Sequence, residues 1–200
     1  MAYPADLRID APHEVANWRP LVHWLLAVPH LIVLGVLDTL VGYVTLVSWF
    51  VILFTGELPE SIARFQCWVL RYETRVYSYV LWMRESYPPI ELEMTAADPG
   101  TDPVRVDISP ELTDRNRLTV GLRFLWVIPI ALFAGLVGIV AWFAAIGGFF
   151  AVLFTGRWPE GLRRFLVDTG RLLLRMNAYA RLLVDEYPPF ALEGEQVEQA

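Results

Sequence analysis

Two long, nearly uninterrupted apolar blocks dominate the pattern of the chain, at residues 21–56 and 118–156. As one straight helix, the first block would be about 54 Å long, whereas the hydrocarbon core of a bilayer is about 30 Å thick. Asp38-Thr39 interrupts the first block, and Gly135 and Gly138 occupy the corresponding part of the second. We therefore predict that each block folds back as a transmembrane hairpin. The four predicted spans are residues 21–37, 40–56, 118–136 and 138–156.

The chain contains an internal repeat with an offset of one hundred residues. FTGELPE at 54–60 recurs as FTGRWPE at 154–160, and aligning 17–93 with 117–193 without gaps gives 20 identities in 77 positions. A repeat of this length indicates a tandem duplication of one structural unit. The glycine of each FTG segment is suited to close a helix, and the proline three residues later is suited to begin the next one. The predicted units are repeat 1 (1–94), a turn-rich linker (95–103), repeat 2 (104–193) and an acidic tail (194–200).

An amphipathic helix is predicted after each apolar block, at 59–86 and 159–186. Each of these helices carries three arginines and a tyrosine at intervals of seven, four and four residues, which places them on one helix face. We expect both helices to lie flat at the cytoplasmic surface of the membrane, beneath the hairpins. The two stripes, which are the candidate contacts to an anion or an anionic lipid, consist of Arg64, Arg71, Arg75, Tyr79, Arg164, Arg171, Arg175 and Tyr179.

Three interpretations of these arginine stripes remain open at the level of sequence. In the first, the stripes anchor the helices at the membrane and form ion pairs with Glu60, Glu73 or Glu160. In the second, they meet between the repeats and bind a lipid phosphate or another anion, for which the planar guanidinium is well suited. In the third, they line part of a conduction or catalytic site. Because the spacing recurs in both repeats, we expect the second and third arginine of each stripe to donate hydrogen bonds to buried acceptors.

Four short segments alternate apolar and polar residues, as β-strands do. We predict that they form a small cytoplasmic sheet. The segments are LRID at 7–10, YPPIELEM at 87–94, VRVDI at 104–108 and YPPFALEG at 187–194.

Composition and charge favour a membrane location. Apolar residues make up 56% of the 200 residues and charged residues 19%, whereas soluble domains contain about a quarter charged residues. All sixteen basic residues are arginines, and ten of them lie in 57–86 and 157–186. Because basic residues near span ends stay in the cytoplasm, we expect a multi-pass protein of the bacterial cytoplasmic membrane with both termini cytoplasmic.

Motifs of catalytic and nucleotide-binding sites do not occur in the sequence. There is no P-loop, GxGxxG, HExxH, GxSxG or CxxC pattern, and Cys67 is the one cysteine. His23 and His30 share a helix face, but repeat 2 has Arg123 and Ile130 at the corresponding positions, so no metal pair is duplicated. We therefore expect no catalytic residue, no metal or other cofactor, and no nucleic-acid partner.

Both halves of the chain resemble a known bacterial family. The pattern FTG-x-x-PE, followed by RF, two further arginines, a tyrosine and YPP, is similar to the membrane protein family designated domain of unknown function 4389, and it occurs twice. The resemblance covers nearly the whole chain. It implies a multi-pass bacterial membrane protein and brings no catalytic residue with it.

The expected fold is a mainly α polytopic membrane protein of two parallel tandem repeats. Each repeat has the order short strand, transmembrane hairpin, amphipathic helix, short strand. We expect a non-catalytic accessory or scaffold subunit that binds the lipid bilayer, with anionic lipid at the arginine stripes and another membrane protein or a second copy as partner. A small transporter or channel between the repeats is the first alternative, and a lipid-modifying enzyme is the second.

Overall fold

The computed structural model describes residues 3–90 and 93–192, which form six helices and two strands. The chain is mainly helical, as its apolar periodicity predicts. In each repeat a strand and a short helix precede a long apolar helix, and an amphipathic helix follows it. The elements in chain order are β1 (Ala5–Ile9), α1 (Arg19–Leu26), α2 (Val28–Thr55), α3 (Glu60–Val80), β2 (Val104–Ile108), α4 (Arg117–Gly121), α5 (Arg123–Thr155) and α6 (Glu160–Ala180).

The long apolar helices are continuous, so the predicted transmembrane hairpins do not form. Helix α2 passes without a break through Asp38 and Thr39, and α5 passes through Gly135 and Gly138. The Thr39 hydroxyl donates to the Gly35 carbonyl of the same helix (2.9 Å), so the helix accommodates this polar interruption. Among the described residues, two helices, α2 and α5, are long and apolar enough to cross a membrane. The prediction of four spans is therefore wrong.

Reversal of the chain occurs instead at the repeated FTG segment, as its glycine predicts. Gly56 and Gly156 have left-handed backbone angles (φ +79° and +66°), which end α2 and α5. After Pro59 and Pro159, helices α3 and α6 run back along α2 and α5. Neighbouring residues of α2 and α3 are Thr45 with Gln66, Val41 with Trp68 and Val69, and Leu34 with Tyr72 and Val76.

The amphipathic helices end six residues earlier than predicted, at Val80 and Ala180. Trp82 and Leu182 adopt positive φ angles (50° and 64°), and the residue after each donates a backbone hydrogen bond to a carbonyl five residues earlier. These are the bonds of a Schellman-type helix end. The helices are therefore closed by their own backbone before the YPP segments begin.

The sheet consists of two antiparallel strands instead of the four that were predicted. Strands β1 and β2, one from each repeat, pair with Leu7 opposite Val106, which confirms the strands expected near 7–10 and 104–108. The described parts of the YPP segments, 87–90 with 93–94 and 187–192, form no strand, and residues 91–92 and 193–194 lie outside the described residues. Two consecutive prolines have no N–H to donate to a sheet, which accounts for this difference.

Three layers result from this packing. The sheet and the linker cover one side of α3 and α6, where Leu7 and Val106 join Leu70 and Leu174 in one apolar core. Helices α2 and α5 cover the opposite side and form the outer layer. Each of these two helices buries one narrow stripe of residues and exposes its other flanks. From Ile130 onward, the buried positions of α5 are those of α2 plus one hundred. The matched buried positions are 30/130, 34/134, 41/141, 48/148 and 52/152.

Candidate functional site

The structure divides the predicted arginine stripes into exposed and buried members. The side chains of Arg64 and Arg164, at the start of the stripes, are 49% and 60% exposed. Each lies 3.9 Å from an acid one helical turn away, Glu60 for Arg64 and Asp168 for Arg164. Exposed pairs of this kind contribute at most about 1 kcal/mol. Both guanidinium groups are therefore accessible to an anionic ligand.

Arg71 and Arg75 are buried beneath the linker, with side chains that are each 1% exposed. Arg75 donates to both carboxylate oxygens of Asp98 at 3.0 Å. Arg71 donates to two linker carbonyls at 3.1 and 2.8 Å and lies 3.6 Å from Asp98. Charge-assisted hydrogen bonds of this type are about twice as strong as neutral ones. They hold the linker against α3.

Asp98 and Asp102 complete this network, although no motif in the sequence marks them as site residues. Asp98 also accepts hydrogen bonds from two backbone N–H groups, in the linker and in β2, at 2.8 and 2.9 Å. Asp102 accepts from Arg84 at 2.5 Å and lies 3.7 Å from Arg75. The signal in the sequence was two acids four residues apart in a turn-rich linker, but their partners on α3 are more than twenty residues away in the chain.

In repeat 2 the partners of the arginines come from β1 and from α6 itself. Arg171 donates to Asp6 at 2.9 Å, to Asp168 at 2.5 Å and to a carbonyl of β1 at 2.8 Å. Arg175 donates to the Ala5 carbonyl at 3.2 Å and lies 3.8 Å from Asp6. The expected buried acceptors are thus present in both repeats. They are carboxylates and backbone carbonyls of the same chain, so anion binding at these four arginines would have to displace them.

Tyr79 and Tyr179 close the stripes at matching positions but contact different side chains. His23 stacks on Tyr79 with ring centroids 4.1 Å apart, and its Nδ1 lies 2.9 Å from the Tyr79 carbonyl oxygen. Arg123, the counterpart of His23, lies over the Tyr179 ring at 3.9 Å from the centroid. Burial raises the pKa of both tyrosine hydroxyls. These tyrosines therefore remain neutral and hold the start of each repeat against the end of its amphipathic helix.

Asp185 is a further, partly buried acceptor that the sequence did not reveal. It accepts hydrogen bonds from Arg115 at 2.7 Å and from Arg123 at 2.5 Å. Burial alone would raise the pKa of Asp185, but the hydrogen bond and charge of Arg115, with the charge of Arg123, lower it below the ordinary range. The pair of arginines comes from the segment that enters repeat 2, so Asp185 ties that segment to the end of α6.

An apolar groove of about 410 Å³ lies between α3, α5 and α6. Leu70, Leu174 and Trp142 contribute to its walls, and Glu73 reaches it from α3. Glu73 accepts a hydrogen bond from Arg181 of the other repeat at 2.7 Å. Burial raises the pKa of Glu73, and Arg181 opposes that shift. This acid is therefore part of an ion pair between the repeats.

Converging metal ligands do not occur in the part of the chain that the structure describes. Within residues 3–90 and 93–192, no group of three or more His, Cys, Asp or Glu side chains is placed to hold a metal ion. Cys67 is buried in the core, and burial raises the pKa of its thiol to about 12. The thiol is therefore protonated at neutral pH and is not an activated nucleophile.

Fold and contacts together define a tandem-repeat helical protein with two helices that are long and apolar enough to cross a membrane. Among family models, the one described as Domain of unknown function (DUF4389) matches twice in tandem, over residues 17–91 and 117–191. The chain belongs to this family, and the two matches confirm the internal repeat. No curated protein and no solved structure matches the chain significantly.

Proposed function

We propose that this chain is a non-catalytic membrane protein that acts as an accessory or scaffold subunit. The observation that carries the proposal is the outer layer of α2 and α5. Large apolar side chains are exposed at equivalent positions of both helices, including Phe50 and Phe150, and Phe54 and Phe154 at 78% and 75% exposure. Contiguous exposed apolar surface of this extent marks a site of contact with lipid or with another protein. The lipid bilayer is the partner that fits a surface wrapping most of two helices.

The three-layer arrangement favours attachment to one side of the membrane over a crossing. Helix α3 packs along α2, and the far side of α3 carries Arg71, Arg75 and the linker acids. If α2 crossed the bilayer, this charged network would lie at the depth of the hydrocarbon. Each charged side chain placed there costs at least about 2.5–3.5 kcal/mol. With α2 and α5 lying in the plane of the membrane, the same network lies outside the hydrocarbon, on the side of α3 that is away from the membrane.

Helix length supports this in-plane orientation. Helix α2 has 28 residues and α5 has 33, so they are about 42 and 50 Å long. Both exceed the hydrocarbon thickness of about 30 Å. Helices embedded lengthwise in one leaflet satisfy their own backbone hydrogen bonds at any length.

The polar layers face the cytoplasm in this proposal, with both termini on that side of a bacterial cytoplasmic membrane. The exposed Arg64 and Arg164 are the stripe residues best placed to contact anionic lipid, where each basic residue contributes about 1 kcal/mol. Partners are a second copy of the chain or another membrane protein. A channel and a lipid-modifying enzyme are less well supported, because the groove between the repeats is lined mainly by apolar side chains.

Cysteine labelling in intact and opened cells tests the proposal, in a Cys67→Ser background. Glu57→Cys and Ser86→Cys mark the two ends of the α2–α3 pair, Thr101→Cys marks the linker, and Thr39→Cys marks the middle of α2. We expect the first three to react with an impermeant reagent only after the cells are opened, and Thr39→Cys to react in neither case.

Two results would contradict the proposal. Labelling of positions 57 and 86 from opposite sides would show that α2 crosses the membrane. Recovery of the chain in the soluble fraction, with Thr39→Cys reactive in opened cells, would show that α2 and α5 are not embedded in lipid.

A further inference from the structure

Arg163 differs from the other buried arginines because it has no carboxylate partner within residues 3–90 and 93–192. Seven arginines are buried, and six of them lie within 4 Å of an aspartate. Arg163 is 7% exposed, and within the described residues no acid lies at ion-pair distance from its guanidinium. Its Nη2 donates to the Ala11 carbonyl at 2.8 Å, and its buried Nε has no hydrogen-bond partner among those residues. Burial lowers the pKa of Arg163, as expected for a charge removed from water without compensation.

Arg163 is one of the residues that line an open cleft of about 410 Å³. The cleft is formed by the end of β1, the segment after it and the first three turns of α6. Arg8, Arg164 and Arg171 also line the cleft. Arg8 and Arg164 are exposed and lie 3.4 Å from Asp6 and 3.9 Å from Asp168, respectively. Arg163 lies in the first turn of α6, the end of a helix that carries partial positive charge. With three acids beside these four arginines, the cleft lining has a formal charge of about +1.

Three acids also line the cleft, and two of them already have basic partners. Asp168 pairs with Arg171 at 2.5 Å, and Asp10 lies 3.8 Å from Arg105. Glu160 is the third acid, at the N-terminus of α6. Arg163 is the buried arginine of the cleft, and none of these three acids lies within ion-pair distance of it. An anion that enters the cleft would supply the missing counter-charge.

We propose that this cleft binds the phosphate group of a water-soluble compound, with Arg163 as its central ligand. A guanidinium fork binds phosphate oxygens through two parallel hydrogen bonds, and Arg8 and Arg164 balance a doubly charged group. The flank of α6 that faces the cleft is opposite the flank that packs on α5. The choice of a soluble compound over a lipid headgroup rests on the membrane orientation proposed above, whereas the anion site itself does not.

Repeat 1 supplies a matched control for this site. The residue that corresponds to Arg163 is Ala63, which is fully buried in α3. An alanine is thus compatible with this helical position, and Arg163→Ala is expected to fold. Because the variant removes a buried and unbalanced charge, its stability without added anion is expected to equal or exceed that of the parent protein.

Calorimetric titration of the detergent-purified protein with inorganic phosphate tests the site, with chloride at equal ionic strength as the reference. We expect phosphate to bind the parent protein and the control Arg157→Gln alike. Arg163→Ala is expected to weaken phosphate binding by about tenfold or more, the loss of one charge-assisted contact. Equal binding to the parent and Arg163→Ala would overturn the proposal, as would an absence of binding to both.

A second arm identifies the source of the phosphate and does not depend on the labelling experiment. Vesicles of phosphatidylcholine with phosphatidylglycerol are compared with vesicles of phosphatidylcholine alone, using the parent protein and Arg163→Ala. We expect any preference for phosphatidylglycerol to be unchanged in Arg163→Ala, because the cleft faces water. A preference lost in Arg163→Ala would assign the site to a lipid headgroup and would overturn the assignment to a soluble compound.

Discussion

The two repeats hold the same arginines with different partners. In repeat 1, Arg75 pairs with acids of the linker whose side chains are 2–3% exposed. In repeat 2, Arg175 depends on Asp6, which is 30% exposed and lies 3.8 Å away. In both repeats the guanidinium also donates to a strand carbonyl, Val104 in one and Ala5 in the other. The duplicated helix thus requires buried acceptors at fixed positions, and whichever segment crosses it supplies the acids.

The largest expected effect is on stability, and it should differ between the arginine networks of the two repeats. Arg75→Gln removes the guanidinium that donates to both carboxylate oxygens of the buried Asp98 and should lower the free energy of unfolding by about 3–5 kcal/mol. Arg175→Gln should cost less, about 1–3 kcal/mol, because its acid is partly solvated and more distant. Thermal unfolding in mild detergent, followed by circular dichroism, measures both.

Arg105→Gln is the matched control for these two variants, because Arg105 forms an exposed pair with Asp10 and should contribute at most about 1 kcal/mol. Arg84 is unsuitable as a control, since it is buried and paired with Asp102. Equal losses in Arg75→Gln and Arg175→Gln would show that the exposure of the acids does not distinguish the repeats.

A second comparison concerns the contact between the long helix and the segment after its end. In repeat 2, a Cβ on Gly148 would lie 2.1 Å from the Trp158 ring. Repeat 1 has Ser48 and Leu58 at these positions, and both are buried. Gly148→Ser should therefore destabilise the protein by about 1–3 kcal/mol through overpacking. The same detergent unfolding experiment measures this loss.

The double variant Gly148→Ser with Trp158→Leu reproduces the pair of repeat 1 and sharpens this prediction. Its loss of stability should be smaller than the sum of the two single losses by about 1 kcal/mol or more. Strictly additive losses would show that the two residues do not constrain each other, and that the glycine is not required by the tryptophan.

The smallest expected effect is a pH dependence of stability that comes from His23. Repeat 1 has a histidine at this position, whereas repeat 2 has Arg123. Burial lowers the pKa of His23, and the charge of Arg19 lowers it further, while the hydrogen bond to the Tyr79 carbonyl and the charge of Glu85 oppose the shift. The folded state therefore favours neutral His23. Stability from this group is present above the ordinary histidine pKa of about 6.5 and is lost as pH falls below it.

Melting temperatures between pH 7.5 and pH 5.5 measure this effect in the parent protein and in His23→Gln. The parent should lose more stability on acidification than the variant does. Arg123 occupies the corresponding position of repeat 2 and stays charged throughout this range, so it does not add to the difference. An identical pH dependence in both proteins would show that His23 is not the titrating group.

Local backbone features were predictable from the sequence, whereas the course of the long helices was not. Gly56 and Gly156 end helices as their position predicts, because glycine adopts positive φ without steric strain. Asp38-Thr39 of α2, and Gly135 and Gly138 of α5, were wrongly interpreted as turns. A short polar or glycine interruption weakens a helix by only about 1 kcal/mol per residue, and the surrounding apolar residues outweigh it.

The candidate site was predictable in its residue types but not in its partners. The regular spacing of the arginines indicated buried acceptors, and the structure contains them. Asp98 and Asp102 carried no local signal, because an acid in a linker pairs with α3 only once the chain has folded back. Arg163 was visible only as a difference from Ala63 between the repeats.

The sequence by itself determined the duplication, the two long apolar blocks, the strands at 104–108 and near 7–10, and the glycine that ends each block. These depend on composition and backbone preferences within a few residues. Only the tertiary structure decided that α3 and α6 pack along α2 and α5, that the sheet joins the two repeats, and that Arg163 is buried with no acid of the described segments beside it. Such features depend on contacts between segments that are distant in the sequence. These contacts determine burial, ion pairing and the exposed apolar surface.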